Sequence, residues 1–243
     1  MRRLAQPAKS VTISFIVRFA EASKIVRIAF YAPLNAPDSD RPSGDRLMAK
    51  QIMAVLRGLG HDVKLVSRLR AWMRDPTELA DLQRAAETER KAVAEGFAGW
   101  PPDLWFTYHL YYRAPDLLGP PLCAAFDLPY MAAEASFAPR RSAGEWAKAH
   151  ALSVAALAQA DLLFAMTERD RAGLEQCPCL RARIMPLAPF LSDTMSGDLP
   201  ARIEPKPGLP VQLVTVAMMR AGDKFASYEL LAKSLAQIGR AHV

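Results

Sequence analysis

The chain has 243 residues, 51% of them hydrophobic, with 19 prolines, 12 glycines and three cysteines. That composition supplies a sizeable core and excludes a disordered chain, a collagen-like repeat and a disulfide scaffold. The net charge of +6 is not a nucleic-acid footprint. Most of it sits at the start, where Arg2, Arg3, Lys9, Arg18 and Lys24 face only Glu21, and the remainder is close to balance. No nucleic-acid partner is expected, although a weak attraction to an anionic membrane surface is compatible with such a tail. The apolar run from Val11 to Val17 is broken by Arg18 and is too short to span a bilayer, so residues 1–24 read as a basic tail outside the fold.

Regular alternation begins at residue 25. Residues 25–31, Ile-Val-Arg-Ile-Ala-Phe-Tyr, form a β-rich run ended by Pro33. After a polar loop, Met48, Ile52, Val55, Leu56 and Leu59 fall on one stripe of an amphipathic helix. Gly58 and Gly60 close that helix, and residues 61–66 are the next strand, completing a βαβ unit. Residues 77–97 read as a long charged helix and 103–108 as a strand after Pro101-Pro102. A short helix over 115–126, a strand over 129–133, an alanine-rich helix over 144–160 and a strand over 161–166 follow. A helix over 168–175 and a strand over 183–187 complete the first domain. This pattern predicts an α/β, Rossmann-like parallel sheet with helices on both faces.

Residues 192–210 carry four prolines and little apolar content, and read as a linker. Beyond it, a strand over 211–217, a turn with Gly222 and a helix over 225–238 predict the first β-α unit of a second Rossmann-like domain. Such a unit cannot bury its own faces, so the rest of that domain is expected to be missing after Val243. The expected organisation is a tail (1–24), a first domain (25–191), a linker (192–210) and the start of a second domain (211–243).

Ligands of open parallel sheets gather beyond the carboxyl ends of the strands, so the loops there hold the candidate site residues. Gly44, in Pro42-Ser43-Gly44-Asp45-Arg46, opens the first long helix, where backbone N–H groups favour anionic oxygens; a simple helix start capped by Ser43 reads equally well. His109, in Tyr108-His109-Leu110-Tyr111-Tyr112-Arg113, follows a strand and suits hydrogen bonds to sugar hydroxyls or phosphate, beside tyrosines that suit a sugar face. Glu134 and Glu168 lie after later strands and could orient acceptor hydroxyls, whereas Arg141 reads as solvated and Thr167 as a helix cap. Arg220 and Lys224 flank Gly222 at a helix start, a combination that would neutralise a diphosphate. Cys123, Cys177 and Cys179 lack the spacing of a zinc site, so no metal is expected and reduced thiols in a cytoplasmic protein are the simplest reading.

In order and spacing the chain resembles the retaining glycosyltransferases of the GT-B architecture. The likeness runs over residues 25–238 through the strand–glycine loop–helix opening, the Gly60-His61-Asp62-Val63 turn, strand-end His109, Thr167-Glu168 after an Ala-Asp-x-x-x-x-Met strand, and Arg220 and Lys224 after the linker. The resemblance implies an acceptor-side first domain and a second domain that binds most of a nucleotide-sugar donor, transferring sugar to a glycan, lipid or small molecule. It implies that Gly44 approaches donor phosphates or acceptor, that catalytic His109 contacts the transferred sugar, and that Arg220 and Lys224 hold the leaving diphosphate without a metal or other cofactor. Contact with the inner membrane surface is compatible with this chemistry.

Two departures stand out. The Arg220 to Lys224 spacing is one residue short of the commonest family form, and the Glu-x7-Glu element of the family's second domain is absent. Glu87 and Glu95 have that spacing but lie in a first-domain helix, about 80° apart around its axis. Activity of this chain alone is therefore expected to be weak or nil. A nucleotide-sugar epimerase of the same shape and a non-catalytic α/β binding module are the alternative readings.

Overall fold

A computed structural model describes residues 25–190 and 221–238, apart from the side chains of Asp223 and Ile238. The tail, the linker, the strand expected over 211–217 and Arg220 lie outside the described residues. Two compact units divide the chain, Met1–Gly197 and Asp198–Val243. In the second unit the described element is a helix, α6 (Asp223–Ile238).

The first unit runs β1 (Arg27–Tyr31), α1 (Gly44–Gly58), β2 (Asp62–Leu65), α2 (Leu79–Gly99), β3 (Leu104–Leu110), α3 (Gly119–Phe126), β4 (Tyr130–Ala135), α4 (Ala147–Gln159), β5 (Leu162–Ala165), α5 (Glu168–Glu175) and β6 (Arg183–Pro186). All strand pairs are parallel, in the order β2-β1-β3-β4-β5-β6, with helices on both faces. The Rossmann-like α/β fold expected from the sequence is the fold observed. Among the described residues no helix is long and apolar enough to cross a membrane.

Each face carries its own core. Trp105, Tyr130, Ala132 and Leu163 meet Val93 and Phe97 of α2, Leu122 of α3 and Leu157 of α4 on the first face. On the second, Ile28, Phe30, Phe106 and Met131 meet Ile52 and Met53 of α1, and Phe30 stacks on Phe106 at 5.6 Å. Each such side chain, fully buried, contributes roughly 1.5–3 kcal/mol.

Helix ends follow local chemistry. Thr167 caps α5 by accepting a hydrogen bond from the Asp170 N–H, the role its position predicts. Asp75 and Glu78 form a capping box in the 3₁₀ turn Pro76–Glu78 that leads into α2. The helix expected over 115–126 starts only at Gly119, because Asp116 turns back to accept the Leu118 and Gly119 N–H groups through Oδ1. Its Oδ2 accepts Thr107 Oγ1–H at 2.5 Å, Tyr130 O–H at 3.0 Å and Trp105 Nε1–H at 3.2 Å. This fully buried carboxylate ties β3 and β4 to α3, and burial raises its pKa despite five donors. The helix expected over 144–160 starts at Ala147, after a left-handed turn at Gly144 (φ +77°).

Candidate functional site

The chain leaves β1 towards β2 on one side and returns to β3 on the other, so loops at the carboxyl ends of β1 and β3 part and open a crevice. The loop entering α1 is braced by buried Asn35, which donates to Ser43 Oγ (2.8 Å) and accepts from Ser39 Oγ (2.7 Å). Ser43 then caps α1 by accepting the Arg46 N–H at 3.1 Å. Asp45 in the first turn is thereby fixed at the crevice.

Two backbone irregularities supply the opposite wall. Along β3, Trp105 faces the first core and Phe106 and Tyr108 the second, yet Leu110 lies in the first core. Along β4, Met131 and Ala133 face the second core, yet Ala135 lies in the first. Strict alternation would keep Leu110 with Tyr108 and Ala135 with Ala133. The switches occur at His109 (φ +66°) and Glu134 (φ +53°), both in the left-handed region that side-chain-bearing residues rarely adopt. The register pairs Tyr108 with Ala133 and Leu110 with Ala135, so the two switches lie side by side. Freed from either core, His109 meets Asp45, and Glu134 lies beside them with its ligand atom within 4.8 Å of theirs.

His109 Nδ1 lies 3.0 Å from Asp45 Oδ1 and 3.8 Å from Glu134 Oε1. Because an ionised carboxylate only accepts, Nδ1 carries the proton in this contact, and in the neutral ring Nε2 keeps a lone pair. Glu134 Oε2 accepts the Tyr108 O–H at 2.5 Å. Burial first, and the bond to Glu134 second, raise the Tyr108 pKa, so it stays a donor that orients the carboxylate. The three side chains remain between 21% and 36% exposed, enough to meet a ligand. The set offers acceptors for hydroxyl hydrogens and a base lone pair in one crevice. Its three ligand atoms also lie within 4.8 Å of one another, close enough to share a metal ion; sequence reasoning looked for metal ligands only among the cysteines.

Of the sequence candidates, His109 and Glu134 are brought together. Gly44 begins α1 beside Asp45, but a Cβ there would meet nothing within 4 Å, so the fold itself does not demand glycine. Glu168 lies exposed on α5, at 4.0 Å from Arg171 of its own helix. Lys224 is exposed in the first turn of α6, in the second unit. Arg141, expected to be solvated, is exposed, with its guanidinium 5.3 Å from the Tyr112 ring. Asp45 was missed as a site residue; its one sequence signal is its place in the first turn after a strand-end loop. The Cys177 and Cys179 thiols lie 3.2 Å apart, and all three cysteines are free.

No protein-family model matches the chain, and no curated protein matches its sequence. Among solved structures it resembles sucrose-phosphate synthase from Thermosynechococcus elongatus, at 15% identity and a TM-score of 0.52 over 67% of this chain. That match takes in 48% of the solved chain, so this protein spans about half of it. At that identity the likeness concerns architecture, and it agrees with the topology above: the chain has a Rossmann-like α/β fold like that of a GT-B glycosyltransferase.

Proposed function

We propose that the first unit is the acceptor-side half of a nucleotide-sugar-dependent glycosyltransferase. The observation that carries this reading is the convergence of Asp45 and Glu134 on His109 at the switch point of the sheet, with His109 and Glu134 each held in a left-handed backbone. Asp45 holds the imidazole through Nδ1, leaving Nε2 to accept a hydroxyl hydrogen of the transferred sugar, while Glu134 accepts one from the acceptor. Gly44 stands at the helix start where backbone N–H groups favour phosphate oxygens. Arg220 and Lys224 would hold the diphosphate leaving group, whose stabilisation is the main catalytic task when a sugar departs through an oxocarbenium-like state. The reading uses no cofactor.

Saturation-transfer NMR of the 243-residue chain with a panel of nucleotide sugars tests it. The expected result is transfer to sugar protons that His109→Ala abolishes while nucleotide protons keep their signal. Absence of any nucleotide-sugar contact, or sugar signals indifferent to His109→Ala and Glu134→Ala, would overturn the proposal in favour of a non-catalytic module.

A further inference from the structure

Between α5 and β6, two thiols share one turn. The Cys177 N–H bonds to Leu174 O (2.9 Å), extending the last turn of α5, and the Leu180 N–H bonds to Cys177 O (3.1 Å), closing a four-residue turn over Pro178. Proline at the second position fixes φ near the value such a turn requires. The turn brings its first and third residues, Cys177 and Cys179, onto one side, with their sulfurs 3.2 Å apart. A disulfide forms at about 2 Å between sulfurs, so closure asks for roughly one ångström of movement.

The two thiols are not equivalent. Cys177 is 4% exposed and belongs to the first core, whereas Cys179 packs against that core and stays partly exposed. The Val154 carbonyl of α4 can only accept, so the Cys179 S–H points to it at 3.7 Å, and Cys177 is the donor to the Cys179 sulfur. Burial first, and that bond second, push the Cys177 thiol up to about 11, so it keeps its proton at neutral pH. A sulfur that a reagent can reach, backed at near-bonding distance by a shielded one, is the arrangement of an attacking and a resolving thiol. Cys123, the third cysteine, is buried on α3, and burial pushes its thiol up as well.

We propose that Cys177 and Cys179 form a reversible thiol–disulfide site for small soluble disulfides of the glutathione type. Cys179 loses its proton to water, and its sulfur attacks one sulfur of the small disulfide. That S–S bond breaks and releases one thiolate, which takes a proton back from water. Cys177 then attacks the Cys179 sulfur; the mixed S–S bond breaks, and the second thiolate leaves with the proton that Cys177 gives up. Two cysteine thiols are oxidised to one disulfide, and the small disulfide is reduced to two thiols. The Cys179 hydrogen bond to Val154, which ties the turn to α4, is absent from the oxidised state. Neither cysteine belongs to the crevice, so the site and the transferase reading stand or fall separately.

Peptide mapping of the full chain by mass spectrometry, after exposure to oxidised glutathione and an acid quench, tests it. Trypsin, cutting after Arg171 and Arg181, releases residues 172–181 with both cysteines, apart from residues 114–140 with Cys123. In the unmutated chain, peptide 172–181 should lose two hydrogens and carry no glutathione, while 114–140 keeps its free thiol. Excess reduced glutathione should restore both thiols. Cys177→Ser should halt at the mixed disulfide, with glutathione held on Cys179. Cys179→Ser should take up glutathione about tenfold or more slowly than Cys177→Ser, since its remaining sulfur is shielded. Each of the following would overturn the site: a peptide 172–181 that keeps both thiols or carries two glutathiones, a Cys123 that reacts as fast, an oxidised form that reduced glutathione fails to reverse, or a Cys177→Ser chain that never accumulates the mixed disulfide. The first map is read on the unmutated chain, so the test survives a variant that fails to fold.

Discussion

Two carboxylate clusters sit on the same pair of strands, and they differ in how fully their hydrogen-bonding capacity is used. Asp116, on the first face, is 3% exposed and accepts five hydrogen bonds from Trp105, Thr107, Tyr130 and the start of α3. Glu134, four residues beyond Tyr130 on β4, stays about one-third exposed and accepts from Tyr108, with His109 at 3.8 Å. A saturated buried carboxylate fastens elements together and has nothing left to offer a ligand. An unsaturated one in a crevice, held by a backbone that costs energy, is organised for something outside the fold. The contrast separates structure from function without reference to any relative.

The largest effect should follow from breaking the saturated cluster. Asp116→Ala leaves the buried Thr107 and Tyr130 hydroxyls and the Leu118 and Gly119 N–H groups without their acceptor, while Trp105 keeps Thr107, and should lower unfolding free energy by about 3–5 kcal/mol in urea titrations. Asp116 also has a pH signature. Its folded pKa is raised above the unfolded value near 3.9, so the folded state holds the proton more tightly. Its contribution is fully present below the unfolded pKa and is lost as pH rises through the folded pKa. Asp116→Asn should flatten that segment of the stability–pH curve, and a slope unchanged from the parent would show that burial does not govern this carboxyl.

A smaller loss should come from crowding the same cluster. A Cβ on Gly119 would overlap the Asp116 carboxylate and lie 2.5 Å from Trp105 Nε1. Both neighbours are locked in the network, so neither can yield cheaply. Gly119→Ala should cost about 2 kcal/mol, read as a shift of the urea midpoint at constant slope. A neutral result would mean that the α3 start moves independently of β3.

The difference between the clusters also decides what the sequence made legible. The sheet was readable because each strand is a short apolar run between helices with their own stripe, and α5 appears with the bounds its pattern implies. Strands β3 and β4 read as ending at Tyr108 and Ala133, and those are the residues after which side-chain alternation breaks. The strands in fact continue to Leu110 and Ala135. His109 and Glu134 were therefore visible as strand-end polar residues, although nothing local joins them. Asp45 enters through the topology that sets α1 beside β3, and Asp116 through a turn read as helix. Partners 64 residues apart, as Asp45 and His109 are, meet through sheet register, which no local pattern encodes.

The finest test of the comparison is the strain itself. At His109 and Glu134, alanine and glycine variants both remove the side chain, so both should lose sugar contact; they differ only in backbone preference. A residue with a Cβ held at positive φ costs about 1 kcal/mol more than glycine. His109→Gly should thus be more stable than His109→Ala by about that amount, and Glu134→Gly than Glu134→Ala, measured as paired differences in urea unfolding. At Tyr108 or Ala133, one residue earlier and in ordinary extended backbone, the order should reverse, because glycine there only adds freedom to the unfolded chain. If alanine were the better residue at all four positions, the left-handed switches would carry no cost. The crevice would then be a by-product of packing, with no strain maintained on behalf of a ligand.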